Sequence, residues 1–290
     1  MRVKEFIIKQ LLGFCALLTV LVTFSLIIIL LVEAVSFFRE VSLWEFLTDT
    51  KWSPLFSNKH FGILPLLSGT MLITGIAIFI ALPIGLSIAV YLNEYAPGSF
   101  RKRVKPLLEL LAAVPTVVYG FFALTVVTPF LQQFIPSLAG FNALSAGIVM
   151  GIMIIPFISS LSEDALHLVP KEIREAAYGM GSTRFQASFR VTVPAASSAI
   201  IASVILAVSR ALGETMIVTI AAGMQARLTA NPLVPIQTIT AYIVQVSSGD
   251  VPFGSVEYRT IFATGIALFA FTFILNNISW WIKTKFSPKS

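Results

Sequence analysis

Residues 11–35 read LLGFCALLTVLVTFSLIIILLVEAV, an apolar stretch in which Glu33 is the only charged side chain. A helix of this length, rising about 1.5 Å per residue, crosses a hydrocarbon core of about 30 Å. Arg2, Lys4 and Lys9 precede the stretch, as basic residues do in a signal peptide. The stretch is much longer than the roughly 7–15 apolar residues of a cleaved signal, so we expect a retained transmembrane helix.

The composition of the whole chain also indicates a membrane protein. Hydrophobic residues make up 57% of the 290 residues and charged residues 12%, whereas soluble domains carry about 25% charged residues. So few charges cannot cover a soluble globule of this size. Five further segments are apolar and long enough to span a bilayer: 66–92, 107–131, 142–162, 195–222 and 260–282. We therefore predict an all-α integral membrane protein with six transmembrane helices in a single domain, residues 1–290.

The distribution of basic residues predicts the orientation of these helices. If the spans alternate in direction, fourteen of the twenty Lys and Arg residues fall on the side that holds both termini. These are Arg2, Lys4, Lys9, Arg101, Lys102, Arg103, Lys105, Lys171, Arg174, Arg184, Arg190, Lys283, Lys285 and Lys289. Because cytoplasmic loops are enriched in Lys and Arg, both termini are predicted to be cytoplasmic. The net charge of +6 then faces cytoplasm and membrane lipid, and no nucleic-acid partner is needed to explain it.

The sequence lacks the residues that disulfides, metal sites and nucleotide-binding loops require. Cys15 is the only cysteine, which excludes an internal disulfide and a thiolate metal cluster. His60 and His167 match no metal-ligand spacing. The phosphate-binding pattern Gly-x-x-x-x-Gly-Lys-Ser/Thr does not occur. We therefore expect a chain that is not an enzyme by itself and holds no cofactor or metal.

The third cytoplasmic loop, residues 163–194, has the pattern of a helix–turn–helix. Its first half carries small and apolar residues at helical spacing, namely Ile173, Ala176, Ala177 and Met180. Gly179 and Gly181 then permit a tight turn. A second amphipathic stretch with Phe185 and Phe189 leads to Pro194, at the start of the fifth apolar segment. Such a projection can fit a groove on another protein.

This loop resembles the one carried by permease subunits of bacterial ABC importers. That family has Glu-Ala-Ala, three residues, Gly, nine residues, then Ile-x-Leu-Pro. Here the same spacing joins Glu175-Ala176-Ala177, Gly181 and Val191-Thr192-Val193-Pro194. The resemblance implies the type I ABC importer permease (MetI-like) fold. It also implies that residues 171–190 form a coupling helix that docks into a separate ATPase subunit, which binds Mg-ATP.

The fifth apolar segment contains the charged run Ser209-Arg210-Ala211-Leu212-Gly213-Glu214-Thr215. An arginine at the bilayer centre costs about 2.5–3.5 kcal/mol on insertion scales, so its presence requires an explanation. Arg210 and Glu214 are four residues apart, and a continuous helix would let them form an ion pair. The pair could join helices without meeting substrate. It could instead present Arg210 to a passing anion, with Glu214 as the alternative acceptor and Ser209 and Thr215 as hydroxyl donors.

Three sequence runs resemble the PstC-type permease subunits of bacterial phosphate ABC importers. They are Arg210–Thr215, Asn93-Glu94-Tyr95-Ala96-Pro97 and Val114-Pro115-Thr116-Val117-Val118-Tyr119-Gly120. The resemblance implies a subunit of the bacterial cytoplasmic membrane that forms half of a phosphate pathway. It also implies a PstA-type sister permease, a PstB-type ATPase pair and an extracytoplasmic PstS-type phosphate-binding protein as partners.

Other functions remain open on the residues alone. A permease for another oxyanion, such as molybdate or sulfate, would also use an arginine. An ATPase-independent anion transporter or channel would need intramembrane charges but not the Glu-Ala-Ala loop. A membrane scaffold or sensor would not depend on Arg210 for transport.

Overall fold

The computed structural model describes residues 2–286 of the chain, and within that range it leaves aside the side chains of residues 2–4, 279 and 282–286. Of the basic residues used to predict the orientation, Lys289 lies outside the described residues, as do the side chains of Arg2, Lys4, Lys283 and Lys285. The regular elements of the described range are helices, together with two isolated β-bridges.

The α-helices vary from three to 37 residues in length. In chain order they are α1 (Arg2–Phe38), α2 (Leu43–Thr48), α3 (Leu64–Val90), α4 (Gly98–Ala112), α5 (Thr116–Phe122), α6 (Thr128–Gln132), α7 (Ala143–His167), α8 (Lys171–Gly179), α9 (Arg184–Ala187), α10 (Val193–Ala195), α11 (Ser197–Leu212), α12 (Met216–Ala221), α13 (Ile239–Ser247) and α14 (Val256–Phe286). Three π-helical turns continue α3, α5 and α9, at Tyr91–Tyr95, Ala123–Val127 and Ser188–Thr192.

Four of these helices are long and apolar enough to cross a membrane unbroken, and two bent helix pairs raise the number of spans to six. The unbroken candidates are Glu5–Phe38, Leu64–Tyr95, Ala143–His167 and Val256–Ile278. They correspond to the first, second, fourth and sixth apolar segments of the sequence. The predicted all-α membrane fold is confirmed, with its third and fifth spans interrupted.

Helices α3 and α7 form the centre of the fold because small residues let them approach closely. A Cβ atom built on Gly147 would lie 2.7 Å from a methyl carbon of Ile76, and one on Gly85 would lie 2.9 Å from Ile158. Larger side chains at either glycine would therefore push the helices apart. This close packing is the usual way in which transmembrane helices associate in lipid.

The predicted third span, 107–131, is not one continuous helix. Residues 107–112 belong to α4, and the chain bends by 82° before α5 begins at Thr116. Pro115 causes the break, because it has extended ψ of 132° and disfavours helical geometry at the residue before it. The Tyr119 hydroxyl donates a hydrogen bond to the Leu111 carbonyl across the break, at 2.8 Å. The third candidate span is therefore the bent pair Gly98–Ala112 and Thr116–Gln132.

The predicted fifth span, 195–222, is also not one helix. The chain bends by 72° at Ala196 before α11 begins. Helix α11 then ends at Leu212, and α12 begins at Met216. The non-helical residues between them include Glu214, so the break falls within the charged run.

An aromatic cluster holds the outer loops together. The ring of Trp52, in the first outer loop, lies 4.9 Å from the ring of Tyr242 in α13. Phe37, Phe46 and Phe61 complete the cluster and are buried. Helix α13 lies in the second outer loop, and its Ile239–Tyr242 turn is buried. The loops at this end are thus a packed cap rather than free segments.

Candidate substrate pathway and coupling surface

Arg210 lies in the last turn of α11 and is exposed. Thirteen residues separate it from Ser197 at the start of the helix, a distance of about 20 Å at 1.5 Å per residue. Its guanidinium carbon stands 5.9 Å from the centre of the Phe157 ring, on α7. No ion pair within 4.0 Å involves Arg210 in the part of the chain that the structure describes. Among the described residues, the guanidinium therefore meets an aromatic ring and no carboxylate.

Glu214, by contrast, is buried, with 9% of its surface exposed. Its Oε1 atom accepts hydrogen bonds from the backbone N–H groups of Met216, at 3.0 Å, and Ile217, at 3.3 Å. The carboxylate therefore satisfies the first free N–H groups of α12, where the helix dipole also favours a negative charge.

The expected ion pair between Arg210 and Glu214 is wrong. The expectation assumed a continuous helix, in which residues four apart share a face. Because α11 ends at Leu212, Glu214 leaves that face and turns to the backbone of α12. Among the described residues, the two charged groups do not approach within 4.0 Å.

The outer loop satisfies a further backbone group at the break and is itself bonded to α3. Thr240, in α13, donates its hydroxyl to the Glu214 carbonyl oxygen at 2.7 Å. The Thr70 hydroxyl of α3 accepts the N–H of Ile239 at 3.1 Å. Broken helices persist at membrane depth only where protein or water satisfies the freed backbone groups. The outer cap therefore stabilises the interruption beside Arg210.

Ser209 and Thr215 differ from each other in what they contact. Ser209 donates its hydroxyl to the side-chain oxygen of Asn276, on α14, at 2.9 Å. Thr215 donates to the carbonyl of Gly213, at 3.2 Å, and so serves its own backbone. Asn276 is a polar, exposed neighbour of the site that the sequence reasoning did not consider. The Asn276-Asn277 pair within an apolar segment was the signal for it.

Residues 163–194, called the coupling loop below, form the predicted helix–turn–helix. Helix α8 ends at Gly179, and Gly181 follows with a left-handed φ of +81°. The N–H of Gly181 donates to Tyr178 O at 2.9 Å, and that of Ser182 to Ala177 O at 3.1 Å. These two bonds define a Schellman ending, whose left-handed residue is usually glycine. Gly181 is thus required by the geometry of the turn.

A capping box begins the second half of the loop. The Thr183 hydroxyl accepts from the N–H of Gln186, and the Gln186 side chain accepts from the N–H of Thr183. Such reciprocal bonds fix the start of a helix. Pro194 lies in the first turn of α10, just before the 72° bend into α11. The loop is therefore stiff on both sides of Gly181.

One side of the loop faces outward and is apolar. We call this the coupling surface; it comprises Ile173, Tyr178, Met180, Phe185 and Phe189, all at least 40% exposed. Glu175 and Ala176 are also exposed, whereas Ala177 is 3% exposed and packs inward. The Phe185 and Phe189 rings lie 4.7 Å apart, which confirms that they share a face. An exposed apolar patch of this kind marks a protein interface.

Arg174 anchors α8 to the membrane helices. Its Nη2 atom donates to the Leu166 carbonyl of α7 at 2.6 Å. Its Nε atom lies 3.4 Å from Oε1 of Glu94, whose side chain is 5% exposed and lies in the π turn after α3. The sequence run Asn93–Pro97 was noted only as a resemblance, and this ion pair gives it a structural role. Arg174 thus connects α8 to α7 and to the π turn that follows α3.

A second ionic cluster lies at the cytoplasmic end of α7. Arg101 and Lys105 of α4 form ion pairs with Glu163, and Lys105 also pairs with Asp164. Glu163 is only 1% exposed. These pairs join residues 58 to 62 positions apart, so sequence spacing could not identify them. They bring α4 against the end of α7, just before the coupling loop.

Comparison with known proteins identifies the family. A family model described as "Binding-protein-dependent transport system inner membrane component" matches residues 81–289. The chain is 37% identical over 262 residues to the "Probable ABC transporter permease protein YqgH" of Bacillus subtilis, covering 90% of this chain and 84% of that protein. It is 36% identical to the "Phosphate transport system permease protein PstC" of Mesorhizobium japonicum, covering 80% and 76%. The PstC of Haemophilus influenzae is 32% identical, with 86% of each chain covered.

Solved structures share the fold at low sequence identity. A chain of a bacterial alginate ABC transporter superposes with a TM-score of 0.66 at 16% identity, covering 100% of both chains. A chain of the inward-facing MetNI methionine ABC transporter gives 0.61 at 16% identity, covering 77% of this chain and 95% of that one. Together with the family match, these likenesses confirm the predicted MetI-like architecture. The chain belongs to the family of inner membrane components of binding-protein-dependent transport systems, and it is a permease subunit of an ABC importer.

Proposed function

We propose that the chain is the PstC-type permease of an ATP-driven phosphate importer in the bacterial cytoplasmic membrane. One observation carries the proposal: the Arg210 guanidinium is exposed at a break in a transmembrane helix and has no carboxylate partner among the described residues. A charge at this depth needs an acceptor. The phosphate-transport names of relatives at 36% and 32% identity support phosphate as that acceptor.

Arg210 is suited to an oxyanion by its geometry. A guanidinium presents several N–H donors in one plane and can hold two oxygens at once. Phe157 lies on one side of the group and leaves its donor edges open to an anion. Glu214 does not compete for the guanidinium, because its carboxylate is used by the backbone of α12. In this mechanism Glu214 shapes the break, and Arg210 receives the solute.

The exposure of Arg210 also requires a second subunit. In lipid, a guanidinium on the outside of a helix would remain unsolvated. A PstA-type sister permease packed against this face would enclose Arg210 in a pathway between the two chains. Ser209 and Asn276, hydrogen-bonded to each other on α11 and α14, would lie at the edge of the same pathway. Thr215 contributes to the backbone of the break rather than to the solute.

The remaining partners would contact the cytoplasmic and the outer face of the protein. A PstB-type ATPase pair would bind Mg-ATP and dock on the coupling surface, so this chain would be non-catalytic and hold no cofactor of its own. Glu175, Ala176 and Gly181 would form part of that contact, Ala177 would pack beneath it, and Pro194 would lie after it in the first turn of the short helix α10. An extracytoplasmic PstS-type phosphate-binding protein would deliver phosphate at the outer cap.

Uptake by the reconstituted complex tests this function. Proteoliposomes containing both permeases and the ATPase, supplied with binding protein, should accumulate radiolabelled phosphate only when ATP is present. Arsenate, which has the same shape and charge, should compete, whereas excess molybdate or sulfate should not. Preferential uptake of molybdate or sulfate would show that the substrate is that oxyanion and not phosphate. Uptake that continues without ATP would contradict an ABC importer.

A further inference from the structure

Helix α4 differs from the other long helices in having no buried residue at all. Its axis is bent by 82° from the following α5–α6 segment. If α5 and α6 cross the bilayer, α4 lies nearly parallel to the membrane surface. Its ion pairs with Glu163 and Asp164, next to the coupling loop, place it on the cytoplasmic side.

One face of α4 is apolar and uncovered. Phe100, Leu107, Leu110 and Leu111 are between 45% and 65% exposed. At 100° per residue these four side chains lie on one side of the helix. A helix with this pattern, parallel to the membrane, buries its apolar face at the boundary between headgroups and acyl chains.

The other face of α4 lines an open cavity of about 410 Å³. Its walls are Gly98, Arg101, Lys102, Lys105, Pro106 and Glu109 of α4, and His167 of α7. Arg101 and Lys105 are already paired with Glu163 and Asp164. Lys102, which lines the cavity, and Arg103 beside it are exposed and form no ion pair in the described part of the chain. Two cations therefore remain for an outside partner.

We propose that the apolar side of α4, together with Lys102 and Arg103, binds an anionic phospholipid of the cytoplasmic leaflet. Lys102 and Arg103 would hold the headgroup phosphate, and the acyl chains would lie along Leu107, Leu110 and Leu111. Charge complementarity favours this occupant, because the cytoplasmic leaflet is anionic and attracts Lys and Arg next to a membrane helix. A free phosphate ion would use the cations but would leave the apolar face uncovered. A phospholipid would satisfy the apolar side chains and the two cations at once.

The position of the lipid would affect the coupling loop. Arg101 and Lys105, on the same helix, hold Glu163 and Asp164 at the end of α7. Helix α8 begins at Lys171, only a few residues further along the chain. A lipid that keeps α4 on the membrane would therefore steady the base from which the coupling surface projects.

Native mass spectrometry of the full chain from nanodiscs tests this site. Nanodiscs of phosphatidylcholine with phosphatidylglycerol should release a chain that retains phosphatidylglycerol. Lys102→Gln with Arg103→Gln should weaken that retention by roughly 25-fold, at about fivefold for each cation near an anionic membrane. Lys51→Gln with Arg227→Gln removes the same charge from the outer loops and should change nothing.

Two further measurements distinguish a phospholipid headgroup from free inorganic phosphate. Leu107→Ser with Leu110→Ser should also reduce phosphatidylglycerol retention, because a bound phospholipid needs the apolar face. Unchanged retention in either the cationic or the apolar double variant would overturn the site. Displacement of the lipid by millimolar inorganic phosphate would show a phosphate site instead. Crosslinks from α4 to the sister permease in the assembled complex would assign the face to that subunit and also overturn the proposal.

Discussion

Arg210 and Glu214 stand four residues apart at the break in the fifth span, yet the guanidinium is exposed and the carboxylate is buried. The Glu214 carboxylate accepts hydrogen bonds from the N–H groups of Met216 and Ile217. The two residues therefore have separate tasks, one facing the outside of the chain and one holding its backbone. Variants at the two positions should accordingly fail in different ways.

Arg210→Ala should strongly reduce phosphate uptake without unfolding the chain. The guanidinium has no carboxylate partner within its own described chain, so its removal leaves no buried group unpaired. Loss of charge-assisted hydrogen bonds worth about 1.5–3 kcal/mol predicts a fall in kcat/KM of roughly 10- to 150-fold. Arg210→Lys should retain part of the activity, because it keeps the charge but not the planar fork. Arg227→Ala, an exposed outer arginine, serves as control in the same uptake assay, and equal losses at both positions would contradict the role of Arg210.

Glu214→Ala should lower thermal stability rather than act on substrate alone. It leaves the N–H groups of Met216 and Ile217 without their acceptor, at a cost of about 1–3 kcal/mol. Glu214→Gln keeps an acceptor oxygen and should cost about 1 kcal/mol or less. Thermal unfolding of the purified chain, followed by light scattering or tryptophan emission, separates the two variants. A Glu214→Gln variant with normal stability but no uptake would restore a direct role for the negative charge.

Gly181→Ala should weaken the hold on the ATPase. Its φ of +81° costs a residue with a Cβ about 1–2 kcal/mol, so the turn after α8 would be strained. Gly179→Ala is the matched control, because Gly179 is the last helical residue, without neighbours within 4 Å of an added Cβ. That change should be neutral or stabilise α8 by up to about 1 kcal/mol. The readout is the amount of ATPase that co-purifies with each variant, and an equal amount for both would contradict the turn's importance.

Breaking the Arg174–Glu94 pair should uncouple ATP hydrolysis from transport. Removing one partner of a buried ion pair costs about 3–5 kcal/mol, because the other charge remains buried alone. Glu94→Gln should therefore loosen α8 from the π turn after α3 and raise ATP hydrolysis in the absence of binding protein. Lys171→Gln, on the exposed side of the same helix, is the control. Tight coupling in the Glu94→Gln complex would show that α8 is held by other contacts.

The outer cap should lose stability in acid, and the hydrogen bond from His60 to Asp49 should move this loss to lower pH. Partial burial raises the pKa of Asp49, but hydrogen bonds from His60 and from the backbone of Lys51 and Thr50 outweigh it and lower the pKa below its usual range. Because the folded pKa is lowered, this stability is present above the ordinary Asp pKa and is lost as pH falls through the lowered one. His60→Ala should move the loss to higher pH. Thermal midpoints between about pH 3 and pH 7 measure it, and identical profiles would contradict the pairing.

Much of the fold follows from the sequence because it depends on local properties. The apolar length of residues 11–35 predicts a membrane span whatever that span touches. The Gly179–Gly181 corner was predicted as a turn, and the structure gives Gly181 a left-handed φ that glycine adopts at low cost. The coupling loop could therefore be outlined before any contact was known.

The breaks in the third and fifth spans were missed because hydropathy is an average over residues. Pro115 and Gly213 were visible in the sequence, but a proline or glycine can kink a membrane helix without ending it. Whether the helix ends depends on what satisfies the freed backbone groups. At Glu214 that acceptor is its own carboxylate, with Thr240 completing the break from a distant loop.

The sequence by itself determined that this chain lives in a membrane, where its apolar segments lie, and that it carries a projecting loop with a glycine corner. Tertiary structure alone decided the partners of its charges. Glu94 meets Arg174, Glu163 meets Arg101 and Lys105, and Arg210 meets no carboxylate of the described chain. The physical reason is that insertion into lipid depends on the summed hydropathy of neighbouring residues, which the sequence contains. An ion pair needs two charged atoms within 4 Å, and these atoms can belong to residues far apart in the sequence. Only packed helices bring such atoms together.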